Sequence, residues 1–163
     1  MKDREKIGFG GGCHWCTEAV FQTLKGVAKV EQGYISLANE PKTFYEGVIV
    51  HFDPDIISLR NLIQIHLQTH NSTSNHSMRF KYLSAIYIFT EEQSLKANRI
   101  LNELNNIQDK EIITKVYAFG AFKASRKQIR NYYKTDPERP FCKLYIEPKL
   151  KILKESFDNY LES

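Results

Sequence analysis

The stretch Lys6-Ile7-Gly8-Phe9-Gly10-Gly11-Gly12-Cys13-His14-Trp15-Cys16-Thr17-Glu18-Ala19-Val20-Phe21 decides how this chain begins to fold. Lys6 to Phe9 reads as a strand, and three glycines follow. Trp15, Ala19, Val20, Phe21 and Leu24 then recur at the spacing of one helical face. Cys13 stands where a glycine turn hands a strand over to a helix. Unpaired amide N–H groups and the positive end of the helix dipole favour an anion at that point. A thiol so placed is expected to be partly thiolate at neutral pH, and the thiolate is the nucleophile. The glycines suit a tight turn and close approach of a ligand to backbone. The plainer reading makes Cys13 and Cys16 two small apolar residues at the buried end of a helix. The glycine lead-in and the helix-start position favour chemistry instead.

Working outward, 163 residues suffice for one domain with a full core, so a single domain over residues 1–163 is expected. The composition, 42% hydrophobic and 26% charged, is that of an ordinary globular protein. Three cysteines form no disulfide framework and fit a reducing cytoplasm. The charged start, Met1 to Lys6, lacks the apolar run of a signal peptide, and no stretch approaches a membrane span. A net charge of +4 does not argue for nucleic acid. The expectation is a cytoplasmic monomer with neither a membrane nor a nucleic-acid partner.

After the first helix, Gly26 to Ser36 reads as a strand, Leu37 to Lys42 as a turn, and Phe44 to Phe52 as a second strand. Ser58 is an expected N-cap for a helix carrying Leu59, Leu62, Ile63, His66 and Leu67. Asn71 to Lys81 reads as a loop and Tyr82 to Phe89 as a strand. Thr90 with Gln93 suggests a capping box opening a helix to about Asn105. Lys115 to Phe119 completes the strands, Ser125 to Lys134 reads as a basic helix, and a last helical stretch follows Pro148. The first six elements, βαββαβ, predict an α+β, ferredoxin-like two-layer sandwich with a C-terminal helical extension.

Three groups carry possible chemistry. Cys13-x-x-Cys16 at a helix start is the arrangement of thiol oxidoreductases, because one turn brings two sulfurs close. It could also be half of a zinc site, but no second such pair exists and Cys142 stands alone. His66 and His70 could share a helical face, although a packed His66 and a loop His70 are the simpler reading, so no metal is expected. Glu46, flanked by Tyr45, Val48, Ile49 and Val50, is a candidate general acid if buried and an ordinary edge-strand glutamate if not. Tyr82 and Tyr45 can donate hydrogen bonds from an apolar wall. Lys123, Arg126, Lys127, Arg130 and Lys134 read as a solvated face.

The run from Phe9 to Phe21 resembles the signature of A-type peptide methionine sulfoxide reductases, usually G-G-C-F-W-C or G-G-C-F-W-G before a helix. The resemblance continues through Gly33-Tyr34, Glu46 to Pro54, Tyr82 to Tyr87, Phe141-Cys142-Lys143 and Pro148-Lys149-Leu150. It implies the ferredoxin-like fold already expected. It also implies a thiolate of Cys13 that attacks the sulfur of methionine S-sulfoxide, in peptides or free, while Glu46 protonates the oxygen. Cys13 becomes a sulfenic acid, a second thiol condenses with it, and thioredoxin reduces the disulfide. Tyr82 would hold the sulfoxide oxygen, with Tyr45 as its expected companion, and Trp15 would wall the S-methyl group. No cofactor is implied. Cys16 and Cys142 both stand as resolving thiols, with Cys16 expected to act first.

The departures from the family pattern are local. His14 stands where the family has phenylalanine, putting a polar side chain in the substrate wall. The segment between Tyr34 and Glu46 is short and lacks a G-H-A-E lead-in. Ser77 replaces an aspartate, Lys81 and Leu83 flank Tyr82, and Ser125 to Asn131 rewrites an acidic, histidine-bearing stretch. Two rival readings remain: a thioredoxin-like C-x-x-C disulfide oxidoreductase that does not need Glu46, and a sulfoxide-binding descendant without turnover.

Overall fold

In the computed structural model, which describes residues 4–11, 14–69, 83–107 and 112–161, the opening stretch forms β1 (Glu5–Gly10) and α1 (His14–Gln22). Phe9 of β1 stacks on Phe21 of α1, with centroids 4.8 Å apart and planes 5° from parallel. Each ring is fully buried, a burial that contributes about 2–3 kcal/mol per side chain before ordering costs. Cys13 and Gly12 lie outside the described residues.

A hairpin follows, with β2 (Val27–Leu37) antiparallel to β3 (Glu40–Phe52). The turn read over Leu37 to Lys42 contracts to Ala38-Asn39, because Leu37 already faces Glu40. Pro41 is tolerated inside β3 because β1 pairs with that strand only from Gly47 onward, leaving the Pro41 end as an edge on that side. Ser58 accepts the Asn61 amide at 3.1 Å and opens α2 (Leu59–Thr69). The expected loop at 71–81, with His70 and Tyr82, lies outside the described residues, and the strand read from Tyr82 is β4 (Ala85–Ile88). Thr90 caps α3 (Glu91–Asn106) by accepting the Gln93 amide at 3.1 Å, while the Gln93 side chain accepts the Phe89 amide at 2.9 Å.

The expected ferredoxin-like sandwich is wrong. The sheet is a closed barrel in the order β1-β3-β2-β5-β4, with β4 antiparallel to β1. The reason is β5 (Lys115–Ala124), twice the length read as Lys115 to Phe119. Its first part, Lys115 to Ala118, pairs parallel with β4, and Phe119 to Ala124 pairs antiparallel with β2. One strand thereby joins the two edges that an open sandwich leaves apart, and closure removes both as sites of unpaired backbone.

Closure gives the sheet an inner and an outer face. Ile35, Leu37, Ile49, Ala85 and Tyr87 form a buried cluster that draws on no helix, and this is the barrel's filling. The space is narrow: a Cβ on Gly8 would lie 2.8 Å from the Tyr87 Cβ. Alternate residues, among them Ile7, Phe9, Val48, Val50 and Phe52, point outward and bury against Val20, Phe21, Leu62, Ala97 and Leu153 of the helices. Among the described residues no helix is long and apolar enough to cross a membrane.

The basic helix expected from Ser125 to Lys134 is also absent. A 3₁₀ turn, Lys127–Ile129, is followed by Asn131 in the left-handed region (φ 56°) and the four-residue α4 (Tyr132–Thr135). The cause is the fully buried carboxylate of Glu18 on α1. It accepts the Asn131 amide at 2.9 Å, the Tyr132 amide at 3.1 Å and the Gln32 side-chain amide at 2.9 Å. Two consecutive amides aimed at one carboxylate are incompatible with a continuous helix through that point. The chain then passes through a π-helical turn, Cys142–Ile146, into α5 (Glu147–Phe157), which carries Pro148 in its first turn.

Candidate active site

Glu46 is buried, 7% exposed, and so is not the edge-strand glutamate facing water. It sits on the outer face of β3, where the start of α1 comes down on it. The His14 amide, at the helix N-terminus and bonded in sequence to Cys13, donates to Glu46 Oε1 at 3.3 Å. A carboxylate there satisfies an amide that has no partner within the helix and meets the positive end of the helix dipole. The His14 ring is 3% exposed, and its Nε2 lies 3.5 Å from the same oxygen. Its Nδ1 donates to the Gly33 carbonyl of β2 at 3.0 Å.

Of the two candidate tyrosines, the one among the described residues, Tyr45, parts company with Glu46. Tyr82 lies outside the described residues. Tyr45 precedes Glu46 and therefore points to the other face, opposite Ile35 in the barrel filling. Burial and the nearby Glu40 push its phenol above the usual range. The tyrosine that shares the face of Glu46 is Tyr34, paired directly across from it on β2. Its ring edge meets the His14 ring at a centroid distance of 5.2 Å. Reading from the sequence missed this. The hairpin alone could not supply it: counting outward from a turn at Ala38-Asn39 sets Tyr34 against Thr43, and only the register shift between Ser36 and Leu37 brings it to Glu46.

Trp15 stacks on Tyr132 at 4.2 Å and 9°, and the edge of Phe141 closes a second side. Arg139 lies over the Tyr132 ring at 4.1 Å. Cys16 and Cys142 occur together in one buried apolar cluster with Ala19 and Ile146. The Cys16 sulfur lies 4.0 Å from the Tyr145 carbonyl, and Cys142 donates to the Asp136 carbonyl at 3.6 Å. Burial first, then Asp136 and Glu147, push the Cys142 thiol pKa upward against the pull of Arg139. His66 takes the packed role: its Nε2 donates to the Gly10 carbonyl at 2.8 Å and its ring lies against Phe9. His70 is outside the described residues.

A carboxyl group withdrawn from water, placed at the start of the helix that Cys13 precedes and touched by an imidazole, can hold and deliver a proton. Known proteins resemble this chain over nearly its whole length. A family model described as peptide methionine sulfoxide reductase matches residues 5–161. The peptide methionine sulfoxide reductase MsrA of Nitratiruptor is 33% identical over 94% of this chain and 96% of its own. Among solved structures, reduced Mxr1 from Saccharomyces cerevisiae superposes with a TM-score of 0.76 at 19% identity, covering 86% of this chain and 90% of that one. Mxr1 in complex with Trx2 gives a TM-score of 0.63 at 19% identity over 77% of this chain and 84% of that one.

Proposed function

The chain belongs to the peptide methionine sulfoxide reductase family, an oxidoreductase acting on methionine sulfoxide, and we propose how its own residues carry the reaction. The substrate is the S epimer, free or in proteins. The Cys13 thiolate attacks the sulfoxide sulfur while Glu46 gives its proton to the departing oxygen. Thiolate, proton and sulfoxide become methionine and Cys13 sulfenic acid: one sulfur gains two electrons and the other loses them. Tyr34 and Tyr82 hold the oxygen, and Trp15 walls the methyl group. The observation that carries this reading is the buried Glu46 carboxyl on the amide of His14, the residue joined to Cys13.

Cys16, one turn along α1, resolves the sulfenic acid first, and Cys142 relays the disulfide outward. The upward push on the Cys142 thiol supports that order, since a poorly ionised thiol attacks slowly. The shared cluster of Cys16 and Cys142 supports the relay. Thioredoxin then reduces the product by exchange, a reading supported by the Mxr1 complex with Trx2.

The test is reduction of separate S and R epimers of a blocked methionine sulfoxide with a dithiol reductant. Turnover of S alone is expected. Inactivity on both epimers, or disulfide reduction without sulfoxide reduction, would discard the proposal. Peptide mapping after one turnover without reductant decides the resolver. A Cys13–Cys142 bond formed at full rate in Cys16→Ser would reverse the assigned order.

A further inference from the structure

His14 touches the proposed proton donor from two directions, and the hydrogen-bond geometry constrains where protons sit. The Gly33 carbonyl can only accept, so Nδ1 at 3.0 Å carries a hydrogen in every state of the ring that keeps this contact. In the neutral ring Nε2 is then a bare lone pair, and it lies 3.5 Å from Glu46 Oε1, at the outer limit of hydrogen-bond reach. A lone pair facing a carboxylate oxygen is repulsive, and both groups are buried, with 3% and 7% exposure. The contact is favourable only with one proton between them. Either the imidazolium donates to the carboxylate, or the carboxylic acid donates to neutral imidazole. Each arrangement holds one proton and no net charge, which suits a site removed from water. The titratable groups among the described residues that face His14 are Glu46 from β3 and Tyr34 from β2, whose ring meets it edge-on. Cys13, its chain neighbour, lies outside them.

We propose that His14 is the positioning residue that loads Glu46 with its proton, an inference that rests on the reductase reading of Glu46. A carboxylic acid alone in water is almost wholly ionised at neutral pH. The pair removes that handicap: the proton waits on Nε2, passes to Glu46 when substrate arrives, and leaves with the sulfoxide oxygen. The pair then stands as neutral imidazole and carboxylate, and a proton from solvent restores it, since the resolving thiol's own hydrogen leaves with the sulfenic hydroxyl as water. No electrons move in this transfer. A phenylalanine here can pack against Tyr34 but can store no proton.

The test is the pH profile of single-turnover S-sulfoxide reduction in the wild-type protein, His14→Phe and His14→Gln. Alkylation of Cys13 is followed in parallel to separate changes in the thiolate. Whatever the variants lose in weak acid, each is expected to fall at least about tenfold further behind the wild type near pH 8, because the descending limb moves to lower pH. Profiles of all three proteins that run parallel, or a fall fully accounted for by Cys13 alkylation, would overturn the role of His14. Ring ¹⁵N shifts of His14 give a readout independent of turnover. Persistent Nδ1 protonation, with an Nε2 titration displaced by Glu46→Gln, is expected; a neutral ring protonated on Nε2 would overturn the pairing. A wild-type protein that reduces no sulfoxide at any pH would fail the reductase reading and with it the loading step, while the ¹⁵N result would still decide the proton pairing.

Discussion

Tyr45 and Glu46 are neighbours on one strand, yet they belong to different environments. Tyr45 turns into the barrel with Ile35, Ile49 and Tyr87, where, among the described residues, the fully buried filling comes from strand side chains. Glu46 turns outward, under the N-terminus of α1. The inner face offers buried phenols little compensation. Tyr87 is fully buried, its hydroxyl has no hydrogen-bond partner among the described residues, and burial, with Tyr45 and Tyr117 nearby, drives its pKa far above the phenol range. The outer face pairs its buried carboxylates: Glu18 accepts three N–H groups, and Glu46 meets His14 twice. Helix ends and loops bring donors to the outer face, whereas strand backbones on the inner face have already spent theirs on the ladder.

The contrast is broken most severely by removing the acid from the outer face. Glu46→Gln is expected to slow sulfoxide reduction by about 10²–10⁴-fold with the fold intact, as for loss of a positioned general acid. Near-normal single turnover with unchanged circular dichroism would remove Glu46 from the chemistry. The next largest effect is on folding. Glu18→Ala leaves the Asn131, Tyr132 and Gln32 donors unsatisfied, at a cost on the order of 3 kcal/mol. Urea unfolding should show the loss, and trypsin should cut sooner at Arg126 to Lys134. A variant as stable as the wild type would mean that Glu18 does not anchor this segment.

A smaller effect separates the faces through their tyrosines. Tyr34→Phe should lower kcat/KM about tenfold, the value of one hydrogen bond to the reacting oxygen, while Tyr45→Phe stays within about twofold. Equal losses, or the reverse order, would contradict the division of faces. The smallest effect belongs to the barrel interior. Below the ordinary phenol pKa of 10.0, folded and unfolded chains both keep the Tyr87 proton, so its contribution to stability is constant there. Above it the unfolded chain releases the proton first, and stability falls as pH rises. Tyr87→Phe should lessen that alkaline loss and raise stability at neutral pH by up to about 1 kcal/mol. A clear destabilisation in urea titrations at neutral pH would show that the hydroxyl is satisfied after all.

Sequence alone was sufficient where the physics is local. The apolar spacing of Trp15 to Leu24 gives α1, Thr90 gives the start of α3, Ser58 gives that of α2, and the cysteine motif at the helix start leads to the family. These depend on contacts within a turn or two of chain. The barrel was not legible, because closure depends on β5 pairing with β2 and β4, strands far apart in sequence and from one another. Nor did the basic composition of Ser125 to Lys134 reveal that Glu18, more than a hundred residues earlier, would claim its amides. Strand periodicity says that Tyr45 and Glu46 face opposite ways, but not which side is filled by helices. That choice, and with it the pairing of Glu46 with His14 and Tyr34, was made only when the sheet closed and α1 settled on its outer face, because side-chain alternation is a property of one strand while inside and outside belong to the whole barrel.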